Sequence, residues 1–176
     1  RQCHVYSADL DEHQSFSIDD LRPGKGWAHY VHGVMKGIHQ VGVTLGGVDV
    51  AISGNIPVGA GLSSSAALCC GFGTAYCTAF GFELAKLGMA KIAQFAEHHF
   101  AGVMCGLMDQ YASLFGEKNK ALLLDCQSLE HETVPFNFPD IDILLIDTKV
   151  KHSLADSAYN KRRQACELGA ALVMRK

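Results

Sequence analysis

No Cys-x-x-Cys pair occurs among the cysteines at 3, 69, 70, 77, 105, 126 and 166, and seven is an odd number. The chain therefore uses thiols and carries no disulfide framework. No apolar run approaches the length of a membrane span, and the N-terminus lacks the charged-then-apolar layout of a signal peptide, so the expected location is the cytoplasm. No basic patch stands out. With 15 basic and 18 acidic residues scattered along the chain and a net charge of -3, there is no extended nucleic-acid footprint. Internal repeats and low-complexity tracts are missing. No Gly-Lys-Ser/Thr triplet occurs, which removes the P-loop.

What is present is enough apolar material for a core: 48% of 176 residues. A single domain of this size buries roughly 70% of its unfolded surface. Cys69 and Cys70 lie in an apolar run and read as small core hydrophobes. The stretch that organises the rest is Pro57-Val58-Gly59-Ala60-Gly61-Leu62-Ser63-Ser64-Ser65-Ala66-Ala67. Glycines at 59 and 61 permit positive φ and close approach of backbone N–H groups to an anion. The helix expected from Leu62 adds unpaired first-turn N–H groups and the positive end of its dipole. The loop has no lysine, so a metal ion held by a serine hydroxyl and a distant carboxylate is the expected source of positive charge. Gly59 and Gly61 also fit the start of a dinucleotide-binding G-x-G-x-x-G, with Ser64 in place of the third glycine and Glu83 near the acidic position. The preceding strand argues against that fold. Val48, Val50 and Ile52 alternate with Asp49, Ala51 and Ser53, as in a sheet with one wetter face, whereas dinucleotide folds use strands buried on both faces. A glycine-rich strand-to-helix turn without ligand is the plain alternative.

Along the chain, residues 3–9 and 15–18 read as strands around a polar turn. Arg22-Pro23-Gly24-Lys25-Gly26 breaks the pattern, and Trp27, Tyr30, Val31, Val34, Ile38 and Val41 then mark a helix over 27–41. His29 and His32, one turn apart on it, read as solvated helix histidines. A strand at 47–54 leads into the glycine loop. The helix from 62 to 80 is small or apolar on all sides, as expected of a buried helix, and Gly71 and Gly73 within it predict the close passage of another backbone. Helices are expected at 87–100 and 110–115. Strands follow at 121–124, 132–136 and 141–146, the last apolar enough to be central, and a final helix spans 155–174. The order of elements gives an α+β fold, with a boundary near Pro139-Asp140 that divides 1–140 from 141–176.

Several segments in this order resemble the galactose, homoserine, mevalonate and phosphomevalonate kinases. The loop PVGAGLSSSAA is similar to that family's second motif. AEHHFAGVMCGLMDQYASLFG at 96–116, ALLLDCQSLE at 121–130 and KHSLADSAYNKRRQACE at 151–167 resemble its galactokinase branch. The resemblance implies a two-domain α+β small-molecule kinase, the first domain mostly present and the second only begun. The family's first motif, ending in Gly-Glu-His-Thr-Asp, is expected before Arg1, and its third after Lys176. The chain is accordingly expected to be an interior segment of a longer polypeptide, of doubtful activity by itself.

The implied reaction moves the γ-phosphoryl of ATP to the anomeric hydroxyl of galactose. Asp109 would be the catalytic carboxylate, accepting the hydroxyl proton late in a loose transition state; by position alone it reads better as a cap of helix 110–115, and the resemblance of GLMDQ to the family's catalytic segment reverses that preference. Glu97 by itself is a solvated helix-end glutamate. The resemblance makes it a magnesium ligand together with Ser65. Gly59, Gly61, Ser63, Ser64 and Ser65 would bind ATP, and Tyr159 the sugar. Trp27 and Tyr30 resemble a pattern near the adenine but suit core packing as well, and Arg162 and Arg163 read as surface charge. A related kinase acting on N-acetylgalactosamine is an alternative. So is a sensor that binds ATP and galactose without turnover, although the complete Ser63-Ser64-Ser65-Ala66 run favours catalysis. The partners are these small molecules, with no nucleic acid and no membrane, and nothing in the sequence fixes an oligomeric state.

Overall fold

A computed structural model describes residues 1–24, 26–146 and 158–174. The sheet that founds the fold is short. β1 (Gln2–Ser7) and β2 (Glu12–Ser17) pair antiparallel, from Gln2 opposite Ser17 to Ser7 opposite Glu12. β3 (Asp49–Ile52) runs parallel to the other edge of β1, with His4 opposite Asp49, giving the order β2-β1-β3. Parallel neighbours need a crossover, and α1 (Ala28–Gln40) lies within the connection from β2 to β3. Alternation decides which face is covered. Cys3, Val5 and Ser7 are buried beneath the helices while His4 is exposed, and in β3 Val50 and Ile52 turn inward while Asp49 and Ala51 stay wet.

Three helices form the layer over this sheet: α1, α2 (Ser64–Ala79) and α3 (Lys86–Ala96), each packed against the other two. Their shared core contains Val31, Val34, Met35 and Ile38 of α1, Cys69, Phe72 and Tyr76 of α2, and Met89, Ile92 and Ala93 of α3. Cys69 and Cys70 are buried, as small hydrophobes should be. The chain leaves α3 through a π turn, Glu97–Ala101, and α4 (Met108–Phe115) then packs on α2 and α3. A second sheet pairs β4 (Lys120–Leu124) with β5 (His131–Pro135), antiparallel. Tyr111 ties it to α4: its hydroxyl donates to Leu129 O at 3.1 Å and lies 2.7 Å from His131 Nδ1. The last element, α5 (Ala158–Met174), is exposed along nearly all its length and meets the rest through its first turn. The α+β order is as expected.

Four local expectations need correction. The helix after the glycine loop starts at Ser64, not Leu62, because Ser63 has a left-handed φ of 55° and cannot belong to it. Nor is that helix covered all round. Gly71, Thr74 and Thr78 are exposed and line, with Ile56, Ala67 and Lys86, an open groove of 1090 Å³. Among the described residues a Cβ at Gly71 would meet nothing within 4 Å, and the nearest atoms to one at Gly73 belong to side chains, not to a passing backbone: Met89 Sδ at 2.5 Å and Val34 Cγ1 at 3.0 Å. The helix expected over 87–100 changes to π geometry at Glu97.

The run 141–146 is not a central strand. Ile143 is 70% and Leu144 80% exposed, and among the described residues no strand pairs with it. Hydrophobicity marks a segment that suits burial, but a strand exists only where a neighbour supplies the ladder. His29 and His32 are half-buried, not solvated. His32 packs on Phe16 with centroids 3.9 Å apart and its Nδ1 lies 3.1 Å from Arg22 O, and burial lowers the pKa of both rings. Of the expected final helix, 155–157 lie outside the described residues, as do Lys25 in the breaker cluster and the 151–157 part of the galactokinase-like segment.

Candidate active site

The glycine loop has the backbone its sequence asks for. Gly59 and Gly61 hold φ of 77° and 76°, a region that costs an L residue about 1–2 kcal/mol and glycine almost nothing. Neither would meet an atom within 4 Å if a Cβ were added, so the space beside both is open. No side chain caps α2. Its first-turn N–H groups, starting at Ser64, are therefore free to face a ligand, and Ser63, Ser64 and Ser65 bring their hydroxyls to the same end.

Glu97 opens the π turn that follows α3, and its charge reaches Tyr30, whose hydroxyl lies beside Ser65 at this end of α2. Glu97 is only 4% exposed, and the neighbouring chain explains how one of its oxygens is used. The Cys105 thiol donates to Oε2 at 3.0 Å, while Oε1 is buried and has no partner. Tyr30, reaching in from α1, has its hydroxyl beside the side chain of Ser65 and feels the charge of Glu97. Burial first and that charge second push the Tyr30 hydroxyl up to about 12. Burial, then the hydrogen bond and charge of Glu97, push the Cys105 thiol likewise up to about 12, so the sulfur keeps its proton and donates. Burial and the same carboxylate also raise Cys69 and Cys70. Four acidic protons feel Glu97, and among the described residues no lysine or arginine pairs with it.

A buried carboxylate with one unused oxygen fits a cation. A divalent ion that retains several waters, as magnesium does, needs only one or two protein oxygens. Among the described residues no group of three or more His, Cys, Asp or Glu could hold a metal, and the residues that could hold one here are Glu97 and Ser65. Glu97 was expected, on its position alone, to be a solvated helix-end residue. The π turn is what buries it.

Asp109 is the second residue of α4 and half-buried, and its side chain does not cap the helix, which begins after Leu107 without any side-chain cap. It lies near enough to Cys105 for its charge to be felt there. The start of α4 is seated against α2, with Cys70 Sγ 3.7 Å from Gln110 O. Gln110 is fully buried, and its amide nitrogen donates to Gly106 O at 3.1 Å and Leu107 O at 3.2 Å, fixing the entry to the helix. Tyr159 reaches the same entry from α5. Its hydroxyl accepts from Gly106 N at 3.3 Å, and Asn160 beside it accepts from Met104 N at 3.0 Å and donates to Gly102 O at 2.9 Å. Thus Glu97, Asp109 and Tyr159 all meet the 102–107 segment, and Tyr30 stands between Glu97 and Ser65 at the start of α2.

Residues 29–117, half of the chain, match the GHMP kinases N terminal domain, and this span contains the glycine loop, Glu97 and Asp109. The chain belongs to the GHMP kinase family. Within that family, the galactokinase of Thermotoga neapolitana is 48% identical over 164 residues, which are 92% of this chain and 46% of that protein. The crystal structure of Lactococcus lactis galactokinase complexed with galactose superposes with a TM-score of 0.89 at 31% identity, covering 99% of this chain and 47% of that one. The mevalonate kinase of Methanococcus jannaschii, at 18% identity and a TM-score of 0.58 over 65% of this chain and 38% of that one, shares the fold. The chain spans about half the length of the galactokinases it matches.

Two residues that meet Glu97 and the 102–107 segment, Cys105 and Asn160, carried no signal in the sequence. Cys105 is one cysteine among seven, without a partner of metal-ligand spacing. Asn160 lies next to a tyrosine that drew the attention. Of the two residues that resemble a pattern near the adenine, Tyr30 has its hydroxyl beside Ser65 and Trp27 donates its indole N–H to Glu12 Oε2 at 3.0 Å. Arg163 pairs with Glu167 one turn on, at 2.6 Å, which fits the surface role expected of it.

Proposed function

We propose that the polypeptide to which this chain belongs is an ATP-dependent galactokinase, making galactose 1-phosphate and ADP. One observation carries the reading: a buried carboxylate with an unpartnered oxygen, Glu97 Oε1, stands by the hydroxyl-rich, uncapped start of a helix that follows an open glycine turn. That is the donor set a nucleoside triphosphate and its cation require. The choice of galactose rests on likeness to the Thermotoga and Lactococcus galactokinases, the latter crystallised with galactose.

In this reading the N–H groups and hydroxyls of residues 59–65 bind the ATP phosphates. Ser65 and Glu97 would hold magnesium, which would supply positive charge against the phosphates. The anomeric oxygen of galactose attacks the γ phosphorus as the bond to the β–γ bridging oxygen breaks, and its proton passes late to Asp109. Because the proton moves late, the main work of Asp109 is to orient the hydroxyl. Tyr159 places its hydroxyl at Gly106, close in sequence to Asp109, and supplies a contact to the sugar. The division at residue 140 into two kinase domains belongs to the same reading, with the sugar held between them.

The test is a substrate panel on the full-length protein with ADP as the readout. Galactose-dependent ADP release is the expected result. Preference for N-acetylgalactosamine would transfer the assignment to that sugar, and binding of ATP and galactose without ADP release would make the protein a sensor. Loss of the magnesium requirement's sensitivity to Glu97→Gln or Ser65→Ala would remove the metal assignment.

A further inference from the structure

We propose that Cys105 is the positioning residue for Glu97: its thiol occupies Oε2 and so reserves Oε1 for the cation. This rests on the metal-site reading above. The geometry gives the sulfur a fixed place that does not depend on the sulfur itself. Cys105 N donates to Val103 O at 2.8 Å, while Cys105 O is held by Gln94 Nε2 at 3.2 Å and by His98 Nε2 at 2.8 Å. Asn160 braces two residues of the segment that leads to Cys105, Gly102 and Met104. At the other end Glu97 is immobilised by its own carbonyl, which accepts from Gly102 N in the π turn and from Val103 N at 3.0 Å.

The side-chain contact therefore joins two fixed backbones. A free carboxylate beside a divalent ion can chelate through both oxygens or through one, and can rotate between these. A donor on Oε2 removes that freedom and leaves single-oxygen ligation, the geometry of an ion that keeps its waters. A neutral donor does this without cancelling the charge that attracts the ion, as a lysine or arginine in the same place would.

The experiment is Mn²⁺ binding to the full-length protein with a non-hydrolysable ATP analogue, followed by electron paramagnetic resonance. Outer partners of metal ligands are commonly worth about 10- to 100-fold in affinity. Cys105→Ala should raise the Mn²⁺ Kd by about tenfold or more with little change in melting temperature, and Cys105→Ser, which keeps a donor, should recover most of it. Cys105→Val fills the space but does not donate, and reads the same quantity if Cys105→Ala melts early. In a Glu97→Gln background, Cys105→Ala should add nothing. An unchanged Kd in Cys105→Ala, a serine as weak as alanine, or additive losses in the double variant would each overturn the inference. If Glu97→Gln itself leaves the Mn²⁺ Kd unchanged, the metal-site reading has failed; if it weakens binding and Cys105→Ala does not, only the role of Cys105 has.

Discussion

Ala96 lies so close to Gly33 that a β-carbon built on the glycine would stand 2.6 Å from the alanine β-carbon and 2.7 Å from its Cα. Ala96 is the last residue of α3 and the immediate neighbour of Glu97. The crossing of α1 and α3 thus fixes where the acidic residue is delivered, and the absence of a single methyl permits it.

Gly33→Ala should therefore destabilise. The helix gains up to about 1 kcal/mol from alanine, but overpacking against backbone costs about 1–3 kcal/mol, and the obstacle is Ala96 itself, not a flexible side-chain end. A net loss of about 1–2 kcal/mol in chemical denaturation is expected, with a higher magnesium requirement. Gly71→Ala is the opposite case. With nothing within 4 Å and an exposed site in α2, it should gain up to about 1 kcal/mol.

Asp109→Asn in the full-length protein should retain ATP binding and lose about 10²–10⁴-fold in turnover, the usual contribution of a positioned proton acceptor. The aspartate does not cap α4, so stability should change little. Calorimetric titration with ATP beside an ADP-release assay checks both halves. Near-normal turnover would return Asp109 to a structural role.

Gly61→Ala should cost about 1–2 kcal/mol through its φ of 76°, since no clash adds to the backbone term. Its larger effect should be on the nucleotide. A KM for ATP raised well beyond that for galactose would separate phosphate binding from general damage to the fold.

Alkaline pH should destabilise the chain before it touches neutral-pH behaviour. Burial raises Cys70 to about 12 from 9.0 and Tyr30 to about 12 from 10.0, and raises Cys69 as well. Below about pH 9 both folded and unfolded chains keep these protons, and their contribution is intact. Between about pH 9 and 12 the unfolded chain releases them and the folded chain does not, so stability falls with pH across that window. Melting temperatures measured from pH 7 to 11 should hold level and then drop. A level profile throughout would show that these groups titrate normally in the folded state.

How much of this was written plainly in the sequence depends on the range over which each feature is decided. Alternation in β1 and β3 and helical spacing in α1 are local, and they placed the elements within a few residues. Positive φ at Gly59 and Gly61 was legible for the same reason, because only glycine takes it freely. The left-handed Ser63 was not, since serine carries no such mark. Strand status for 141–146 depends on a partner's edge, not on its own apolar residues, and Gly71 and Gly73 looked alike although only one is crowded. The Glu97–Cys105 contact depends on a turn geometry that periodicity cannot express, and the helix pattern ran straight through it.

That π turn also counts residues. An α turn closes its hydrogen bonds four residues apart and a π turn five, so deleting one residue between His98 and Ala101 would restore regular winding and shift the bonds that Gly102 and Val103 make to the Glu97 carbonyl. Cys105 would then lose its seat against Glu97 while the three helices over the first sheet stay packed on one another. Insertions and deletions are ordinarily absorbed in loops; in this stretch of helix a single missing residue should release one carboxylate.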